Sequence, residues 1–131
     1  MNLDIHIIQP KEFLKVTPSG EIDLAQSKRL LLMLASLNEP PGNRDVLLDC
    51  RATTTSLTFT GITILVGLMS DHRNSFRDRL AILTQPGSRH EVAEFMEVYA
   101  VNRGFHVAAF DSFEAAAIWL ATTVVVTTEE N

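Results

Sequence analysis

Two short runs constrain this chain more than any other feature. Asp45-Val46-Leu47-Leu48-Asp49-Cys50 and Arg79-Leu80-Ala81-Ile82-Leu83-Thr84 are nearly continuous in apolar residues, and each is only six residues long. A strand wet on one face alternates apolar and polar residues. A strand without alternation is covered on both faces, which is the situation at the centre of a parallel sheet. Parallel neighbours cannot be joined by a tight hairpin, so each run needs a crossover helix behind it.

The helical patterns are present. Asp23 is placed to accept from the free amides of a first turn, with Gln26 at the reciprocal capping-box position. Leu30, Leu31, Leu34 and Leu37 follow at helical spacing as a core-facing stripe, and Asn38 with Pro40-Pro41-Gly42 stops that helix. A loop rich in threonine follows Cys50. A second helix is expected to start near Thr58–Gly61 and to run to about Asn74. Pro86-Gly87 breaks the chain after the second apolar run. Ser88 with Glu91 makes another capping box, and Val92, Phe95, Met96 and Tyr99 mark the buried face of a third helix. Gly104 falls just past its end, where a left-handed residue is favoured. Phe105 to Phe110 reads as a last strand, and Asp111 with Glu114 opens a fourth helix carrying Phe113, Ala117, Ile118 and Leu120.

Ahead of these elements, Leu3, Ile5 and Ile7 alternate with polar residues, as in a strand with one buried face. Gln9-Pro10-Lys11 reads as a turn, and Phe13 to Thr17 completes a hairpin that Pro18-Ser19-Gly20 ends. The order is β-β-α-β-α-β-α-β-α. It predicts an α/β fold with a mainly parallel central sheet, an antiparallel N-terminal hairpin edge and four helices. One domain is expected over residues 1–122, with a C-terminal tail over 123–131.

Composition narrows the function classes. Sixteen acids against eleven bases give a net charge of −5, a field that repels phosphate backbones and argues against nucleic acid as a partner. The 131 residues are 46% hydrophobic, enough to build a core without a disulfide or a metal. Cys50 is the only cysteine and reads as a buried thiol in a reducing compartment. The start, Met1-Asn2-Leu3-Asp4, lacks the basic n-region of a signal peptide, so a cytoplasmic location is expected. The apolar run Ile62–Met69 is interrupted by Thr63 and Gly67 and is far shorter than the roughly 20 residues that span a bilayer, so membrane insertion is not expected. His6, His72, His90 and His106 show no metal-ligand spacing, and no cofactor is expected. No nucleophile elbow, P-loop or dinucleotide fingerprint is present, which argues against an enzyme. Arg73, Arg77 and Arg79 are expected on an exposed helix end and loop.

Several stretches resemble STAS domains, which are shared by anti-sigma factor antagonists and sulfate transporters. Gly20-Glu21-Ile22-Asp23-Leu24 resembles the family's "G-E-[LI]-D" signature, and Val46-Leu47-Leu48-Asp49 its "v-v-[LI]-D-L" strand. Asp49 lies twelve residues before Gly61, about the family spacing from that Asp to the Gly of "D-S-[ST]-G". Phe110-Asp111-Ser112-Phe113-Glu114-Ala115-Ala116 resembles the closing "f-x-[ST]-[LF]-x-E-A" stretch. The resemblance spans roughly residues 10 to 120. It implies a non-enzymatic module in bacterial regulation whose partner is a regulatory protein, a kinase-like anti-sigma factor or similar. The regulatory motif departs from the pattern: the chain reads Thr58-Phe59-Thr60-Gly61, with Phe59 where the family carries its phosphorylated serine. The Trp119-Leu120 ending is similar to a looser group of STAS-like proteins, akin in fold to lipid-binding Sec14-type domains.

Residues 53–60 carry six hydroxyls in eight positions. A phosphate at a helix start meets free N–H groups and the positive end of the dipole. One reading therefore makes Thr60, Thr58 or Ser56 a displaced phosphoacceptor on a docking surface that includes Phe59, Gly61, Asp23 and Ile62. The other makes Thr58 or Thr60 a plain helix cap, with Asp23 as the cap of the first helix. Phe59 is either a surface anchor or a core residue. Asp49 with Arg51 reads as an ion pair. An alternative function is binding of a small apolar, lipid-like ligand in a cleft lined by Phe59, Ile62, Leu65 and Phe95. A homodimer through an edge strand or Val124–Val126 is a further expectation.

Overall fold

The strands are β1 (Asn2–Ile8), β2 (Phe13–Ile22), β3 (Val46–Asp49), β4 (Thr53–Thr55), β5 (Arg79–Leu83) and β6 (His106–Phe110). The helices are α1 (Leu24–Leu37), α2 (Phe59–Asp71), α3 (Ser88–Val101) and α4 (Phe113–Ala121), with a 3-10 turn at Arg73–Phe76. This computed structural model describes residues 2–8, 13–40 and 44–122. The turn expected at Gln9–Lys11, the Pro41-Gly42 part of the first helix stop and the tail 123–131 lie outside the described residues.

One sheet runs β1-β2-β3-β5-β6, with β4 added to the far end of β2. β1 and β2 are antiparallel and every other pair is parallel, the expected mixed α/β sheet. The two apolar runs became β3 and β5, side by side with strands on either flank. Alternate residues of these strands feed opposite faces. Val46, Leu48, Leu80 and Ile82 join the larger core beneath α1, α2 and α3, while Leu47, Ala81 and Leu83 join a smaller one beneath α4.

Several local expectations are corrected. Pro18-Ser19-Gly20 does not end the second strand, which continues to Ile22. Leu14 N–H donates to Asp45 O, and Gly20 N–H donates to Ala52 O, so the even positions of β2 turn their amides towards β3 and β4. Pairing with β3 stops at Val16 and pairing with β4 starts at Gly20, so Pro18 falls in the gap where a missing donor breaks no ladder bond. The threonine-rich loop contains β4, which adds a strand to the predicted order. Its β-branched residues suit a pleated edge.

Helix ends and faces shift in the same way. α2 stops at Asp71 and gives way to the 3-10 turn. α3 starts at Ser88 itself, so its N-cap is Gly87, at φ +110, rather than the expected Ser88. The cap of α4 is Ser112, whose hydroxyl accepts from Ala115 N–H at 3.3 Å, rather than Asp111. Only one line of α4 meets the sheet, so Ala116 and Leu120 are buried while Phe113 is exposed and Ile118 is 67% exposed. Ile5 and Leu37, read as core residues, are exposed. Arg79 is not a free surface cation. It pairs with Asp45 at 3.0 Å and donates to the Trp119, Leu120 and Thr122 carbonyls, which satisfies the C-terminal end of α4.

Candidate functional site

The chain leaves β2 into α1 and β4 into α2. Because β2 and β4 are parallel neighbours, Gly20–Ile22 against Thr53–Thr55, the two helices start side by side at one end of the sheet. Their N-termini flank a surface depression of about 390 Å³, bordered by Asp23, Leu24, Ser56, Thr58, Thr60 and Gly61 among others.

Both helix starts are capped. Asp23 Oδ1 accepts from Gln26 N–H at 2.9 Å, and Gln26 Oε1 accepts from Asp23 N–H at 3.4 Å. Thr58 Oγ1 accepts from Gly61 N–H at 3.1 Å. The hydroxyls of Ser56 and Thr60 are exposed. Gly61 is buried where α2 approaches α1: a Cβ there would stand 3.3 Å from Leu57 Cδ2 and 3.7 Å from Leu24 Cδ1. Ile62 is buried beneath the surface. The structure thus brings Asp23, Ser56, Thr58 and Thr60 together around the depression with Gly61 at its edge and Ile62 buried, while Phe59 lies outside it, over Phe95 of α3. Thr58→Ala is expected to lower stability by about 1 kcal/mol through loss of the cap, with Thr60→Ala near zero. Thermal unfolding of the two variants separates the roles of the two threonines.

Phe59 opens α2 and is 54% exposed. Its ring stacks on Phe95 at 4.5 Å between centroids, Phe95 stacks on Tyr99 at 5.9 Å, and the Arg103 guanidinium lies 3.4 Å from the centre of the Tyr99 ring. A ladder of three rings and one cation therefore runs from the start of α2 along α3. Its signal in the sequence is the four-residue spacing of Phe95, Tyr99 and Arg103, which brings side chains together on a helix. By sequence, Tyr99 reads as a core residue and Phe95 as a core or cleft-lining one.

Asp49 ends β3 at this same edge. Burial pushes its carboxyl pKa up, but hydrogen bonds from the Arg51 side chain and backbone, with the Arg51 charge, outweigh burial and hold it below the usual carboxylate value. The Arg51 Nη2 to Asp49 Oδ2 distance is 2.8 Å. A depressed folded pKa contributes stability above the unfolded pKa and loses it as pH falls through the folded one. Arg51→Met removes the side-chain hydrogen bonds and the charge but keeps the backbone N–H bond and the Lys15 charge, so the folded pKa rises and less stability is lost on acidification than in wild type. The gap in melting temperature between wild type and Arg51→Met should therefore narrow from neutral pH to about pH 3. A constant gap would show that the pair has no electrostatic role.

Cys50 follows. The residue as a whole is half-buried rather than buried as expected, and desolvation pushes its thiol up to about 12, with the Asp49 charge adding, which disfavours the thiolate. Cys50 borders a partly open cavity of about 110 Å³ between the sheet and α1, α2 and α3. Of the four residues expected to line an apolar cleft, Ile62 and Leu65 do so, whereas Phe59 and Phe95 stack on each other outside it. Among the described residues, no group of three or more His, Cys, Asp or Glu could hold a metal ion. Among them, no helix is long and apolar enough to cross a membrane.

No family model matches the chain, and no curated protein is significantly similar in sequence. Solved structures are similar in fold. An uncharacterised protein of the DUF3478 family with a SpoIIAA-like fold, from Shewanella loihica PV-4, superposes with a TM-score of 0.60 at 17% identity, covering 91% of this chain and 92% of that one. The anti-sigma factor antagonist SpoIIAA in its unphosphorylated form gives 0.56 at 13% identity, covering 92% and 97%. An anti-sigma factor antagonist from Mycobacterium paratuberculosis gives 0.56 at 14% identity, covering 92% and 96%. The chain has the STAS-like fold that its motifs led us to expect.

Proposed function

We propose that this chain is a non-enzymatic STAS-like interaction module of the bacterial cytoplasm. It would dock a regulatory protein, a kinase-like anti-sigma factor or similar, through the paired starts of α1 and α2. The observation that carries this reading is the exposed Phe59 ring next to the exposed Thr58 and Thr60 hydroxyls at the start of α2, which adjoins the start of α1. Buried aromatic anchors ringed by polar groups dominate protein–protein binding energy, and the Phe59 ring is already stacked on Phe95. The anti-sigma factor antagonists of the same fold support the class of partner.

Control by phosphorylation belongs to the same proposal. Thr58 is committed to its cap, whereas the Thr60 hydroxyl has no hydrogen-bond partner among the described residues and sits in the first turn of α2. A phosphate on Thr60 or Ser56 would add about −1.5 to −2 charges beside Phe59 and change what can dock there. Phosphopeptide mapping of the protein from its native cells tests this, because trypsin releases residues 52–73 as one peptide. Phosphate on Thr60 or Ser56 is expected. In parallel, a photo-crosslinking residue at position 59 should yield a discrete protein adduct that Thr60→Glu removes. An unmodified peptide together with no adduct at position 59 would refute the proposal.

A further inference from the structure

We infer that the partly open apolar cavity beneath α1, α2 and α3 is a binding site for a small amphipathic carboxylate, with its apolar body among the core side chains and its carboxylate held by Arg89. Protein interiors pack densely and keep few voids larger than a water molecule. This one measures about 110 Å³. Its wall is made chiefly of buried apolar side chains, among them Leu34, Leu48, Leu65, Ile82 and Met96. Water needs two to four polar partners to occupy a cavity, so an apolar body suits this space better than water does.

The lining carries one charged group. Arg89 borders the cavity with Thr53 and Thr84 where β3 and β5 finish, β4 starts and α3 begins, and the remaining polar lining is the Ser27 and Thr55 hydroxyls and the Cys50 thiol. Arg89 is half-buried, and its Nη1 donates to the Thr53 carbonyl, which fixes the guanidinium against the strand ends. Among the described residues, no salt bridge to Arg89 is present; Arg51 pairs instead with Asp49, and Arg79 with Asp45. A half-buried guanidinium with free donors beside an apolar cavity selects a ligand that is apolar at one end and anionic at the other.

Size selects further. An engineered cavity of about 150 Å³ with comparable walls takes benzene. A space of about 110 Å³ fits a single ring or a short aliphatic chain and excludes the two acyl chains of a membrane lipid. The site is separate from the docking surface, but Leu57 borders both the cavity and the surface depression, so the two spaces share one side chain. The inference stands on the cavity and Arg89, independently of whether a partner docks at Phe59.

The probes are benzoate and hexanoate, with benzyl alcohol and 1-hexanol as uncharged counterparts. Binding to the full chain is followed by methyl NMR of Leu, Ile, Val and Met. The carboxylates should shift the resonances of Leu34, Leu65 and Met96 and bind at least about tenfold tighter than the alcohols. Arg89→Met should bring acids and alcohols to equal affinity. Ala93→Leu, which fills the cavity, should abolish binding of both. Arg89 is half-buried, so its variant remains informative if Ala93→Leu does not fold. The inference is overturned if none of the four probes binds, if the alcohols bind wild type as tightly as the acids, if Arg89→Met leaves the preference for acids intact, or if the shifted methyls lie only on the surface.

Discussion

Alanine at Leu34 lowers the unfolding free energy by about 3–5 kcal/mol, the upper part of the range for a buried leucine. Alanine three residues later, at Leu37, changes it by about 0.5 kcal/mol or less, as an exposed substitution does. The two positions belong to one helix and one apparent stripe. Leu34 is 1% exposed in the core between α1 and the sheet, while Leu37 is 47% exposed in the last turn of α1. Leu34 also borders the apolar cavity, so its removal enlarges a void that the surrounding side chains already leave open. Neighbours that have not closed that space in the native protein will not collapse into a larger one, which places the expected loss towards the high end. Urea unfolding of both variants measures the contrast. Equal losses would mean that the last turn of α1 is packed, contrary to the structure.

That contrast illustrates how far the sequence could be read. The stripe of α1 was legible because helical spacing fixes which residues share a face, but where the face stops meeting the sheet depends on tertiary geometry. The same holds for α4, whose Ile118 fits the pattern yet points away from the layer that buries Leu120. β3 and β5 were legible because a strand covered on both faces has no alternation to hide. β4 was not, because three threonines without an apolar partner look the same in a loop as on the edge of a sheet. By local sequence Pro18 reads as a stop because a proline removes a donor. It stays within β2 because the partner strand changes at that point, a fact of topology that local sequence does not carry.

The site shows the same division. The capping box of Asp23 with Gln26 and the hydroxyl cluster before α2 are local chemistry, and each occupies the place expected of it. What local sequence could not show is that the two helix starts adjoin. That follows from the parallel pairing of β2 with β4. The stacking of Phe59 on Phe95 bridges thirty-six residues of sequence and depends on the packing of α2 against α3. Arg79 reads as an exposed charge because nothing near it in sequence predicts that the last carbonyls of α4 will arrive about forty residues later.

Asn38 is the clearest case of a residue whose local meaning understates its role. As a helix stop it needs only to be polar. In the structure it is 3% exposed and ties three segments together. Its Nδ2 donates to Arg44 O at 2.9 Å and to Ser75 O at 3.1 Å, and its Oδ1 accepts from Arg44 N–H at 2.8 Å. Ser75, also buried, donates in turn to Ala35 O at 2.8 Å. The end of α1, the 3-10 turn and the approach to β3 are therefore joined through one amide. Asn38→Ala leaves buried backbone groups without partners, and at about 1–3 kcal/mol for such a group the expected loss is about 3 kcal/mol in total. Asn38→Asp removes more at neutral pH, because a carboxylate keeps the bond from Arg44 N–H but sets a negative charge against two carbonyl oxygens. Protonation restores one donor, so the folded pKa of that aspartate lies above its unfolded value and acidification favours the native state. The deficit of Asn38→Asp relative to wild type should therefore shrink between neutral pH and about pH 4, while that of Asn38→Ala stays constant. Parallel urea titrations of the two variants at both pH values measure this. A pH-independent deficit for Asn38→Asp would show that the two carbonyls find other donors, and that the amide is not what holds these three segments together.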